Sequence, residues 1–356
     1  MNRRKFLAVS SVTLGSACTS EVATVAVDKE GGSIAEGRYH LPATQTSPLG
    51  HKVIQDRPGY IQQYKYENWE VDQDWNDDKQ LWWRSIYRWG QGLLPIQRRP
   101  MQVFPDLYLL GLDDCSQGIY LWDTGDGLLL IDPSYSRYQQ GIETQIRQLG
   151  WSEKDVKWVL LTHMHWDHTQ GAAQWEKRGA SIHIHPDDEG YVTGTLDPEG
   201  PDPIEQVREP QFFTDEQILR FGRLELTAIH TPGHTPGATC FSTEWKGRGV
   251  LISGDIALHW GRHAWMGASY CDWDQYLASL WKLYDHADAA KLQTMLPGHG
   301  TIDLEGAVDS LYAVIQIVSE VIRRRRAGEK LDGLNAYHFL WQLKHNKVSE
   351  PAVLRS

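Results

Sequence analysis

The sequence predicts a layered α/β protein built on two packed β-sheets, and three observations carry that expectation. From Met101 onward, apolar runs of strand length recur, most of them closing on Gly, Pro, Asp or His. Between the later runs lie stretches with the apolar spacing of helices. Strands come first and then alternate with helices, which is the order of a layered fold, and no repeat of solenoid period interrupts it. A hydrophobic content of 41% supports a packed core, and 356 residues suffice for one large domain or about two ordinary ones.

In chain order, residues 1–20 open with MNRRKFLAVSSVTLGSAC: a basic start, a modest apolar stretch and small residues at the end. That is the build of an export signal, and it is too short for a membrane span. NRRKFL is similar to a twin-arginine signal, with Arg3 and Arg4 as the pair and Phe6 and Leu7 following. That route carries folded proteins, often with a cofactor already loaded. The expected location is therefore outside the cytoplasm, either as a soluble periplasmic or secreted protein or as a membrane-anchored lipoprotein acylated on Cys18. Small residues Gly15, Ser16 and Ala17 precede Cys18, but Leu14 stands one position further away than such sites usually have it, so both outcomes stay open.

Residues 21–50 are rich in Gly, Ser, Thr and Pro without periodicity and read as a flexible tether. Residues 51–100 crowd Trp69, Trp75, Trp82, Trp83 and Trp89 together and read as an N-terminal extension packing on the core. Residues 101–304 carry the strand-like runs VFPDLYLLG, GIYLWDTGDGLLLID, VKWVLLTH, SIHIHP, LELTAIHTPGH, TCFST, GVLISGD and LQTMLPGHG, with a hairpin turn at Asp123 to Gly127. Helix-like stretches cover residues 139–149, 170–178, 273–284 and 306–326, the last belonging to a C-terminal helical segment over 305–356.

The formal net charge of −11 argues against a nucleic-acid partner, whose binding would rest on phosphate neutralisation. The basic run Arg323 to Arg326 reads as a solvated helix end. Beyond the signal, Cys115, Cys240 and Cys271 are widely spaced without a CxxC, so free thiols, or one disulfide and one thiol, both fit.

The chemistry concentrates in THMHWDHTQG, where His163, His165, Asp167 and His168 follow the apolar run VKWVLL directly. Such a segment reads as a loop turning into the helix at Gln170. Its imidazoles and carboxylate suit Zn²⁺ or Fe without any thiolate, and side chains on one turn can be divided between two cations about 3.5–4 Å apart. Three further strand-like runs end on a ligand type beside Gly or Pro: His234 in TPGHTPG, Asp255 in LISGD and His299 in LPGHG. By contrast, His183 and His185 alternate on one face of SIHIHP and read as structural, as do His230 and His286.

The HxHxDH segment, the histidine of TPGHTPG, the aspartate after a strand and the final PGH, in this order, resemble the metallo-β-lactamase superfamily over about 101–304. The resemblance implies a four-layer αββα sandwich with metals at one edge of the two sheets. It implies that His163, His165 and His234 hold one cation, that Asp167, His168 and His299 hold a second, and that Asp255 bridges both. It implies two Zn²⁺, with Fe or Mn as alternatives, sharing a hydroxide that attacks a carbonyl, with Asp167 orienting it and the substrate a small molecule. The lactamases themselves lack the bridging aspartate, so Asp255 points to the lactonase, thioesterase and glyoxalase II side, with ester, lactone or thioester ahead of β-lactam. Leu258 occupies the position where the lactonases often carry a tyrosine, which weakens a lactonase reading. Candidate substrate contacts are His259, His263, Trp166 and Trp260, and Trp166, Trp260, Trp265 and Trp273 suggest an apolar pocket wall. A different class stays in view: persulfide dioxygenases of the same fold, which hold one iron.

Overall fold

The computed structural model describes residues 44–46, 52–54, 100–112, 117–196, 205–258, 263–299, 302–329 and 353–355. The expected export signal lies outside the described residues, as does nearly all of the tether and the Trp-rich extension.

Two sheets form the frame. The first runs in the order β3 (Met101–Phe104), β4 (Leu107–Leu112), β5 (Gly118–Asp123), β6 (Leu128–Ile131), β7 (Val156–Leu160), β8 (Ser181–Ile184) and β9 (Gln211–Phe212). The second runs β1 (Thr44–Thr46), β2 (Lys52–Ile54), β15 (Ile302–Asp303), β14 (Thr294–Pro297), β13 (Arg248–Gly254), β12 (Thr239–Trp245), β11 (Leu224–His230) and β10 (Ile218–Phe221). Thus β1 and β2, from the stretches expected to be tether and extension, add short strands to an edge of the second sheet. The α-helices among the described residues are α1 (Gln139–Gln148), α2 (Trp166–Thr169), α3 (Ala172–Lys177), α4 (Glu189–Val192), α5 (Trp273–Ala289) and α6 (Ala307–Ala327).

Alternation along the strands creates the layers, because successive side chains point to opposite faces. Leu107, Leu109, Tyr120, Trp122, Leu129 and Ile131 enter the core between the sheets, meeting Leu226, Ala228, Phe241, Val250, Ile252 and Leu296 from the other side. Their neighbours Tyr108, Leu110, Ile119, Leu121, Leu128 and Leu130 face the opposite way and pack on Ile142 and Ile146 of α1 and Trp175 of α3. On the far side, Ile229, Cys240, Leu251 and Met295 meet Leu280 and Leu283 of α5 and Leu311, Val314 and Val318 of α6. The order helix, sheet, sheet, helix is the expected αββα sandwich. Strands buried on both faces explain why runs such as LLLI read as continuously apolar.

The sheet directions place the site. Strands β6 and β7 are parallel, as are β13 and β14, and β11 runs the same way as β13 through two antiparallel pairings. The carboxyl ends of all five converge on one edge of the sandwich. Backbone hydrogen bonds join the sheets there: the Thr239 amide donates to the Thr162 carbonyl (2.9 Å) and the Gly118 amide to the Gly298 carbonyl (2.8 Å).

Candidate metal centre

Each carboxyl end delivers part of the site. The segment after β7 does not wait until Gln170 to turn helical: α2 begins at Trp166, so Asp167 and His168 sit on a helical turn. The Thr169 hydroxyl shares its proton between the carbonyls of His165 (2.9 Å) and Met164 (3.1 Å), tying the segment's end to its start. His234 follows β11, where Gly233 at φ +129° presses so close to α5 that a Cβ would lie 2.4 Å from the Tyr276 nitrogen. Asp255 follows β13 and His299 follows β14.

These seven side chains come together. The imidazole nitrogens of His163, His165 and His234 converge as one set, Asp167, His168 and His299 as another, and Asp255 groups with His163 and His168 between them. His163 Nε2 lies 3.0 Å from His165 Nδ1 and 3.3 Å from His234 Nε2, while His168 Nε2 lies 3.3 Å from His299 Nε2. Asp255 reaches both sets: 3.6 Å to His234, 3.5 Å to His168 and 3.3 Å to His299. All seven are buried, between 0% and 9% exposed.

The hydrogen-bond partners decide which ring nitrogens carry protons. The Trp265 carbonyl can only accept, so His234 Nδ1 donates to it (2.8 Å). The Thr162 hydroxyl donates to Asp132 (2.7 Å) and therefore accepts from His163 Nδ1 (2.9 Å). Both Nε2 atoms then point bare lone pairs at each other. Burial, reinforced by the charges of neighbouring imidazoles, keeps His163 and His165 well below the usual imidazole range. Burial likewise brings His234 down to about 4. Neutral nitrogens facing one another across about 3 Å repel unless a cation lies between them, and Asp255 Oδ1 is buried without a hydrogen-bond partner. The residues present therefore fit a metal. The second set differs. Burial opposes the charge on His168, but Asp167, Asp255 and Asp132 outweigh it and hold it up to about 9. His299 is likewise held well above the usual range, against its burial, by Asp255 and Asp167. Burial would raise both carboxylates, yet His168 and His299 keep Asp167 low, and His299 and His168 keep Asp255 well below the carboxylate range.

Several contributors went unread in the sequence. Asp132 closes β6 and accepts from the Thr162 amide (2.8 Å), the Thr162 hydroxyl and His168 Nδ1 (2.8 Å). Its signal was available, since a carboxylate ending an apolar strand before Pro is the same pattern that marked Asp255. The Tyr270 hydroxyl lies 2.8 Å from His165 Nε2, and Asp188 bonds the backbone beside two ligand loops. Of the candidate substrate contacts, Trp166 is buried with its ring 5.3 Å from that of His165. Trp265 flanks the same imidazole at 5.9 Å. His263 is buried edge-on to Trp273, which lies on α5. His259 and Trp260 lie outside the described residues.

The four histidines read as structural divide. His183 lies in β8 beside the Ser181 hydroxyl, and His286 bonds the Ser242 hydroxyl (2.8 Å). His185 lies one residue past the end of β8, with an extended backbone, and opens the turn at Pro186; like His183 it meets a phenylalanine of the core between the sheets, Phe213 against Phe221. It stacks on His230 at 3.9 Å and 11°, with Asp187 close to both. Ligand atoms converge there too, but lone pairs lie in ring planes, and parallel planes aim them side by side. The rings of His163, His165 and His234, crossed at 61° to 83°, aim them inward. Cys240 and Cys271 are free thiols, and Cys115 lies outside the described residues.

Residues 112–299, more than half of the chain, match the profile of the Metallo-beta-lactamase superfamily, and the chain belongs to that family as a metal-dependent hydrolase. Among its relatives, the acyl-coenzyme A thioesterase MBLAC2 of Homo sapiens is 25% identical over 238 residues, 62% of this chain and 82% of its own length. Thioesterase pkgB of Emericella nidulans is 27% identical over 253 residues, 67% of this chain and 64% of its own. A solved B3 metallo-beta-lactamase with an active site glutamic acid superposes with a TM-score of 0.52 at 24% identity, covering 70% of this chain and 94% of that one, a likeness of fold.

Proposed function

We propose that this chain is a dinuclear metal-dependent hydrolase of thioesters, with other activated esters as secondary substrates. The observation that carries the reading is Asp255, whose carboxylate lies within 3.6 Å of imidazoles from both ligand sets. His163, His165 and His234 would hold one divalent cation and Asp167, His168 and His299 the other, Asp255 serving both. Such a pair would supply Lewis acidity to a substrate carbonyl and would make water a nucleophile near neutral pH. The chain's own groups do the rest. Asp167, kept ionised by His168 and His299, would take the attacking water's proton and hand it to the departing thiolate. Asp132 and the Trp265 carbonyl fix the imidazoles of His168 and His234 before substrate arrives. Trp166 and Trp265 wall the His165 side, where an acyl chain would lie and water would be excluded.

Thioester is favoured over lactone and β-lactam because relatives named as thioesterases match over 62% and 67% of the chain, and because Leu258 takes the place of the lactonase tyrosine. The twin-arginine-like start supports action outside the cytoplasm on a small-molecule substrate. Metal analysis of the purified protein, with an acyl-coenzyme A, ester, lactone and β-lactam panel, tests the proposal. Two zinc per chain with thioester turnover is expected. One iron per chain with oxygen uptake on a persulfide would replace this reading with the dioxygenase one.

A further inference from the structure

The partners already described fix the rings of individual ligands. Something must also fix how far apart the two ligand loops of the first set stand, since His163 and His165 come from the segment after β7 and His234 from the segment after β11. We propose that Asp188 is a positioning residue that clasps these two loops and thereby sets the spacing of the first metal set. The inference rests on the metal reading above.

Asp188 touches none of the seven ligands' rings in its hydrogen bonding; it holds their backbone. Its Oδ2 accepts from the Met164 amide (2.9 Å), the peptide between His163 and His165. The same oxygen accepts from the Thr235 hydroxyl (2.8 Å), the residue after His234, and Oδ1 accepts from the Gly237 amide (2.7 Å). One carboxylate thus spans both loops with three donors. It is wholly buried, and among the described residues no lysine or arginine forms an ion pair with it; its carboxyl group meets the three loop donors alone. The approach is close enough to require glycine, as a Cβ on Gly237 would lie 2.6 Å from the Asp188 Cγ. Its neighbour Asp187 points outward instead, more than half exposed. A buried carboxylate that only stabilised the fold would have no reason to take its donors from the two loops that flank histidine ligands.

The chemistry of Asn separates the clasp from bulk stability. Asp188→Asn conserves shape and can keep the two bonds at Oδ2, but it turns an amide NH₂ toward the Gly237 N–H and opens the TPGHTPG side. The measurement is zinc affinity by competition with a chromophoric chelator, in a His299→Ala background that weakens the second set and leaves the first intact, the tighter site being the one read. Metal-free thermal stability and the visible spectrum of the Co²⁺ form are recorded alongside. Asp188→Asn is expected to weaken zinc binding by about 10–100-fold, the range for removing a group that supports a ligand, and to alter the Co²⁺ spectrum. Asp187→Asn is expected to leave both unchanged. Zinc affinity within threefold of the parent, whatever happens to thermal stability, overturns the role of Asp188. Failure of the His299→Ala parent itself to bind zinc overturns the metal reading instead. Should Asp188→Asn not fold, Thr235→Val, which keeps volume and removes one donor, decides the matter: a fall of at least threefold supports the clasp and an unchanged affinity ends it.

Discussion

At the scale of single residues, the site works by giving the imidazoles of His163, His165, His168 and His234 a second partner each. Asp132 carries the largest share, holding His168 directly and His163 through the Thr162 hydroxyl. Asp132→Asn is expected to lower metal affinity and thioester turnover by about 10–100-fold while leaving the circular dichroism spectrum intact, checked by zinc titration and steady-state kinetics. Protons outside the site matter too. Burial brings His183 down to about 4, and burial together with the charge of His230 does the same for His185. Between pH 6.5 and 4 the unfolded chain therefore binds more protons than the fold does. Stability from these groups is full above pH 6.5 and is lost as pH falls toward 4. Urea midpoints of the metal-free protein at pH 5 and 7 check this, and His183→Gln should narrow the gap between them. The seven converging side chains were legible because histidine and carboxylate beside Gly or Pro at strand ends are conspicuous. Asp188 was not: in HPDDEG nothing in the sequence says which of two adjacent aspartates turns inward.

At the scale of elements, strand ends and their glycines set the geometry. Gly298 separates β14 from His299, and a Cβ there would lie 2.2 Å from Asp255 Oδ1 and 2.9 Å from the Gly254 carbonyl carbon. Gly298→Ala must therefore push the shared carboxylate aside. We expect at least about a 100-fold loss of turnover, the cost of a misplacement of about 1 Å, in a protein that still folds, measured as kcat with far-ultraviolet circular dichroism as control. Strands β5 to β8 and β11 to β14 were readable from apolar runs closing on turn residues. The start of α2 was not, since it depends on the Thr169 hydroxyl folding back on the ligand loop. Strand β10 escaped notice because Ile218 and Arg220 face solvent while Leu219 and Phe221 are buried, leaving too short a pattern in ILRF.

At the scale of the whole molecule, the αββα order was legible in the succession of elements and in the four-part motif. The pairing of sheet edges was not, because it depends on backbone bonds between segments distant in sequence, such as Thr239 to Thr162. Bound metal should add to global stability by mass action, about 2.7 kcal/mol for each site at one hundred times its dissociation constant. Stripping with a chelator is expected to abolish turnover and lower the melting temperature by several degrees, with both restored by zinc; calorimetry with and without chelator checks it.

The division of ligands between the sheets has a further consequence. A break in the backbone between Phe212 and Ile218 would leave His163, His165, Asp167 and His168 on one piece and His234, Asp255 and His299 on the other. Neither fragment would carry the full ligand set alone, so a bound metal ion would act as the solder between them. Because the two halves also share the apolar core between the sheets, complementation should tighten when the ion is supplied, a dependence that light scattering on mixed fragments would reveal.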